Sequence, residues 1–170
     1  MRKVVAPLVA LVLSACGTVA PAADYQWQAP VVHFTYNHTG APADVSADTV
    51  EAALQDAARQ WSAACGVRLE YAGQADEAGN TVRWVPGFDD ARVMGTASIA
   101  VVDGSTQILH FTMALNSAKL TDVRRLRSTV LHEFGHVMGL GHSHDENSVM
   151  YAKARGKLSL ADEDINRCRR

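Results

Sequence analysis

Residues 132–142 read His-Glu-Phe-Gly-His-Val-Met-Gly-Leu-Gly-His, and no other stretch limits the fold as tightly. On a helix, His132 and His136 lie one turn apart and share a face, so both imidazoles can reach a single ion. Gly139 lacks a Cβ and can turn the chain with φ > 0 just beyond that helix. Such a turn brings His142 back as a third nitrogen donor. Three protein ligands leave the fourth tetrahedral position open to water, the arrangement of a catalytic rather than a structural zinc. Glu133 sits beside the first of these histidines.

The flanking residues suit a helix that holds a metal rigidly. Thr121 or Asp122 can cap its N-terminus. Val123, Leu126, Val130, Leu131, Phe134, Val137 and Met138 form a broad apolar stripe, and no proline interrupts residues 121–138. The alternative is a helix whose histidines are solvated or satisfied in a core. The glycine and third histidine at fixed offsets argue against it.

This segment resembles the H-E-x-x-H-x-x-G-x-x-H zinc motif of the metzincin metallopeptidases. The residues just beyond it narrow the likeness to the matrixin branch: His142-Ser143, then Asp145, then Ser148-Val149-Met150-Tyr151. Glu146 stands where that family carries proline, and Ala152 where a second proline comes after the tyrosine. The resemblance implies one catalytic Zn²⁺ held by His132, His136 and His142, with Glu133 as general base. It places Met150 in the Met-turn beneath the ligands and Tyr151 in the wall of the substrate pocket. His110-Phe111-Thr112 lacks the carboxylate of the family's accessory zinc site, and acidic runs for calcium are thin. His33, His38 and His144 read as structural or solvated.

Residues 1–15 read as a secretory signal: Arg2 and Lys3, then an apolar run from Val4 to Leu13, too short for a stable membrane span. Leu13-Ser14-Ala15-Cys16-Gly17 resembles a bacterial lipobox, which makes Cys16 the lipidated first residue. Cleavage near Ala20–Ala23 by an ordinary signal peptidase is the alternative. Gly17 after the cysteine points to an outer-membrane or cell-surface location, with periplasmic or secreted forms as alternatives. Removing residues 1–15 deletes two positive charges and takes the net charge from −2 to −4. There is no basic stripe, so nucleic acid is not an expected partner.

Residues 16–24 read as a lipidated terminus and tether, and 25–170 as one domain. Cys65 and Cys168 remain in the exported chain, and an even count favours a disulfide. Closing about a hundred residues would stabilise the chain by ~4–5 kcal/mol on the entropy model; two buried free thiols are the alternative. Strands are expected at 31–36, 67–71, 81–85, 96–102 and 107–115, with a hairpin turn at 103–106. A helix capped by Ser46 spans 47–64 and stops at Gly66. Residues 74–80 read as a polar turn, and Ser159 caps a short last helix. The expected fold is α+β: a twisted mixed sheet of about five strands, two long helices on one side and a short C-terminal helix. This order also resembles the matrixin catalytic domain, as do Trp61 and the run Leu160-Ala161-Asp162-Glu163-Asp164-Ile165.

The resemblance implies an endopeptidase acting on extended protein or peptide substrates, including those of an extracellular matrix type. It suggests the strand at 96–101 as an edge that pairs with the substrate. No cysteine is placed as a latency switch, which leaves room for a separate inhibitor protein. The competing reading is a membrane-anchored binding lipoprotein that keeps the metzincin fold without turnover. Glu133 argues against it, because binding alone needs no base. A zinc hydrolase acting on something other than protein is a third reading, disfavoured by the matrixin-like loop.

Overall fold

The computed structural model describes residues 9–13, 25–74, 79–153 and 155–169. Cys16, the tether at 16–24, most of the export segment and part of the turn at 74–80 lie outside them. The elements are β1 (Val9–Leu13), β2 (Gln26–Trp27), β3 (Val31–Asn37), α1 (Ala47–Cys65), β4 (Arg68–Gln74), β5 (Thr81–Val85), β6 (Gly95–Val101), β7 (Gln107–Asn116), α2 (Val123–Val137) and α3 (Asp162–Cys168). The sheet runs β1-β6-β7-β5-β3-β4, with β2 added beside β7. It is mixed. β4, β3, β5 and β7 are mutually parallel, and β6 returns antiparallel to β7.

Local signals account for the helix boundaries. The Ser46 side chain accepts from the Thr49 N–H at 3.2 Å, and Gly66 closes α1 in the left-handed region at φ 74°. Of the two expected caps for α2, Asp122 is the one used; its carboxylate accepts from Arg125 N–H at 2.8 Å. The last helix departs from expectation. Its N-cap is Ala161 rather than Ser159, and the Asp164 carboxylate accepts from Ala161 N–H at 2.9 Å. A buried acceptor within the first turn thus replaces a capping hydroxyl.

Alternating residues of β3 turn Val32, Phe34 and Tyr36 into the core, the period-2 pattern of a half-buried strand. Phe34, Phe111 and Phe134 meet there, with Phe34 and Phe134 edge-on at 5.2 Å between ring centres. Burying such a ring stabilises by about 1.5–3 kcal/mol, so Phe134 anchors α2 to the sheet from the face opposite the histidines. α1 packs on α2, and fully buried Trp61 joins them by donating its indole N–H to Leu131 O at 2.8 Å. At Gly135 the helices and the later loop come closest: a Cβ there would strike Met150 Sδ and Trp61 Cζ2.

Two short pairings were not expected. β2 joins β7 in parallel, and its Trp27 indole donates to Val137 O at 2.9 Å, satisfying a carbonyl at the C-terminal end of α2. β1 pairs antiparallel with β6, Leu13 opposite Ala97 and Val9 opposite Val101. The sequence reading gives that run to an export signal with no place in the fold. In this chain the backbone of an apolar, β-branched run takes up the open N–H and C=O groups of the sheet edge.

Cys65 and Cys168 form a disulfide with Cα atoms 4.9 Å apart, which ties the C-terminal end of α3 to that of α1. The bridge spans 103 residues. Reduction should therefore lower stability by about 4 kcal/mol on chain-entropy grounds, read as a lower urea midpoint. Identical midpoints with and without reductant would show that the bridge contributes nothing.

Candidate metal centre

α2 carries Phe134 into the core and, on its other side, presents His132 and His136. The helix ends at Val137, and Gly139 takes φ 88°. That conformation strains any residue with a Cβ, and here a Cβ would also strike the Tyr25 carbonyl. The chain therefore reverses tightly under the N-terminal segment and returns His142 to the other two histidines. One ligand nitrogen from each of the three rings lies within 4.8 Å of the others, and ring centres are 4.8, 4.9 and 5.4 Å apart.

The rings are oriented from behind. His132 Nδ1 donates to Val149 O at 2.7 Å, and His136 Nδ1 donates to Leu140 O at 2.8 Å. These bonds fix the tautomer that leaves each Nε2 lone pair free for a metal. The Nε2 atoms of His136 and His142 are buried, and no group among the described residues satisfies them. Two buried acceptors with no partner are costly unless an electrophile fills the space between them. Burial brings His132 down to about 4, takes His136 well below the usual histidine value and lowers His142, with the Arg167 charge adding to the last effect. All three are thus neutral at pH 7, as metal ligands must be. The donor set and its orphaned nitrogens fit zinc.

Glu133 is 3% exposed and accepts from the Ala97 N–H, while its Oε2 has no partner among the described residues. Burial raises it to about 8, against the lowering effect of that backbone bond. Gly95 permits this arrangement: a Cβ there would press on Thr129 and on the Glu133 side chain.

The loop after His142 folds back on itself. Ser143 N–H donates to Met150 O at 2.7 Å, and Ser148 N–H closes a turn on Asp145 O at 3.1 Å. The turn forms with Glu146 in place of the family's proline. That residue's carboxylate receives Tyr151 OH at 3.2 Å and pairs with Arg155 at 3.0 Å. Met150 is fully buried against Gly135, and Tyr151 lines the cavity beside His132. His33, His38 and His144 are exposed and His110 half-buried, each outside the cluster.

One residue of this centre was not read from the sequence as part of it. Asp164 is fully buried on α3 and accepts from Ser148 Oγ at 2.5 Å, Val149 N–H at 2.9 Å and Ala161 N–H at 2.9 Å. It grips the residue whose carbonyl orients His132. The run Leu160–Ile165 was the available signal, but no spacing rule connects it to the histidines.

A mixed sheet backed by two helices, with three histidines converging at the end of one, defines a zinc-peptidase type of fold and centre. Residues 26–170 match the matrixin family model, and the chain belongs to that family. It is 43% identical over 49 residues to "Metalloendoproteinase 5-MMP" of Arabidopsis thaliana, covering 27% of this chain and 14% of that protein. It is 36% identical over 59 residues to "Metalloendoproteinase 1" of Glycine max, covering 33% and 19%. The matches thus span less than a fifth of either relative.

The buried titrating groups set opposite pH trends in the metal-free protein. Histidines depressed from 6.5 refuse protons that the unfolded chain accepts, so stability falls as pH drops from 6.5 towards about 4. Glu133, raised from 4.5 to about 8, keeps a proton that the unfolded chain has lost, so its contribution fades as pH rises towards 8. Three histidines outweigh one glutamate below 6.5, and the glutamate acts alone above it. Melting curves of the metal-free protein should therefore peak near pH 6.5, and Glu133→Gln should flatten the alkaline limb. A profile level from about pH 4 to 8 would contradict the burial of these groups.

Proposed function

We propose that this chain is a zinc-dependent endopeptidase that cuts extended protein substrates. The observation that carries the reading is the convergence of His132, His136 and His142, whose ligand atoms lie within 4.8 Å of one another, with the Nε2 atoms of His136 and His142 buried and unpartnered among the described residues. Glu133 and His132 also line one cavity of about 350 Å³, room for a substrate side chain beside the reacting bond. His132, His136 and His142 would hold the ion, which would supply Lewis acidity and make water a stronger acid near neutral pH. Glu133 takes the proton of the attacking water and delivers it to the departing amine. Burial raises Glu133 in the metal-free protein, and the charge of a zinc ion beside it would bring the carboxyl back down, so that it is ionised and able to accept a proton once the ion is bound. Met150 supports the ligands from beneath, and Tyr151 forms part of the pocket wall.

The β6 edge is the proposed seat of the substrate backbone. It lies next to Glu133 through Ala97, and in this chain it takes β1 as an antiparallel partner over five residues. A chain cut before Cys16 would lose that partner, and its open edge would accept an extended peptide by the same hydrogen bonds. The lipid at Cys16 would then hold the domain at a bacterial membrane surface, outer-membrane or cell-surface. Among the described residues no helix is long and apolar enough to cross a membrane. A separate inhibitor protein would be the natural control on such an enzyme.

Glu133→Ala should retain stoichiometric zinc and lose at least about a hundredfold in cleavage of casein. Retained turnover would refute the role of the base. Metabolic labelling with a lipid precursor should mark the wild type and not Cys16→Ala. An unlabelled wild type would remove the anchor.

A further inference from the structure

The cavity beside His132 and Glu133 carries an unbalanced charge. α2 contributes the small polar residues Ser128 and Thr129 to its wall, while Val93, Met94 and Val149 make apolar sides. Much of the remaining wall comes from residues 151–153 and 155–157. Two of the four cations lining the cavity are neutralised locally. Arg92 grips Asp90 through Nε at 3.0 Å and Nη2 at 2.8 Å, and holds that carboxyl down at about 2. Arg155 pairs with Glu146 at 3.0 Å and lies over the Tyr151 ring, 5.2 Å from its centre. Lys153 and Lys157 have no carboxylate partner among the described residues, and Lys157 is only half-exposed. Among the described residues, the only carboxylate lining the cavity besides Glu133 is the already engaged Asp90. No described residue of the wall answers the two ammonium groups.

Resting on the peptidase reading, we propose that this cavity selects substrates with a glutamate flanking the scissile bond, Lys153 and Lys157 reading its carboxylate. The side chain suits the composition of the wall: an aliphatic stem for the apolar sides of Val93, Met94 and Val149, and a terminal anion for the lysines. A lysine or arginine in the same place would meet like charge. Gln has the same shape without the charge, so the Glu/Gln ratio isolates what the lysines contribute.

The test uses zinc-loaded protein and paired peptides differing only in Glu, Gln, Leu or Lys, placed first on one side of the cut and then on the other. At low salt, kcat/KM for the Glu peptide should exceed that for Gln about 3- to 10-fold on one side, the size expected of two partly solvated ion pairs. The ratio should fall towards one at about 0.5 M NaCl, where screening is short-ranged. It should also fall in Lys153→Gln/Lys157→Gln, and invert in Lys153→Glu/Lys157→Glu. A wild-type ratio of one on both sides, or a ratio unmoved by salt and by both double variants, overturns the proposal. Cleavage of every peptide without a charge preference would sink this inference alone. Failure to cut any peptide with zinc bound would sink the peptidase reading with it.

Discussion

The metal centre depends on two backbone carbonyls. Leu140 O and Val149 O each accept from the Nδ1–H of a histidine earlier in the chain, and each thereby turns an Nε2 lone pair towards a common point. A helix alone sets only the spacing of His132 and His136. Their ring rotation is decided by chain that lies beyond the helix, on both sides of His142. The path of residues 138–151 is therefore the property on which the chemistry rests, and the surrounding structure can be understood by how it holds that path.

Three contacts do so from different directions. From the N-terminal side, the Tyr25 carbonyl sits against Gly139 and Trp27 satisfies the Val137 carbonyl, so the reversal has no room for a side chain. From below, Met150 fills the space that Gly135 leaves open against Trp61. From the C-terminal side, Asp164 accepts three hydrogen bonds and uses them to pin Ser148 and Val149. A buried carboxylate with three donors is well compensated, whereas the same group with one donor would be costly. The seven residues of α3 are too few to form a stable helix unaided, and the disulfide at Cys168 holds them to α1.

Much of this was legible in the chain, for identifiable reasons. The α1 boundaries come from Ser46 and Gly66, which act within one turn of themselves, and β5 from alternation bounded by Pro86-Gly87. The approach of His142 was readable because a glycine at a fixed offset has few uses other than a sharp turn. What escaped reading depends on distant partners. β2 is two residues long and exists only because β7 and the Val137 carbonyl receive it. The cap of α3 is a carboxylate inside the helix, doing a task that local pattern assigns to Ser159. Asp164 looks like one more acidic residue in a first helical turn until tertiary structure brings Ser148 and Val149 to it. Placing β1 on the β6 edge likewise reflects a sheet with an unfilled side, which no local pattern announces.

Asp164 and Cys168 both come after all three histidines in the chain. Synthesis proceeds from the N-terminus, so the ligands emerge from the ribosome before the groups that support their loop. A nascent polypeptide at that stage has imidazoles but no clamp on Val149, hence no fixed aim for the His132 ring. The order of residues alone thus sets the clamp, and the cysteine that ties it to α1, behind the ligands they steady.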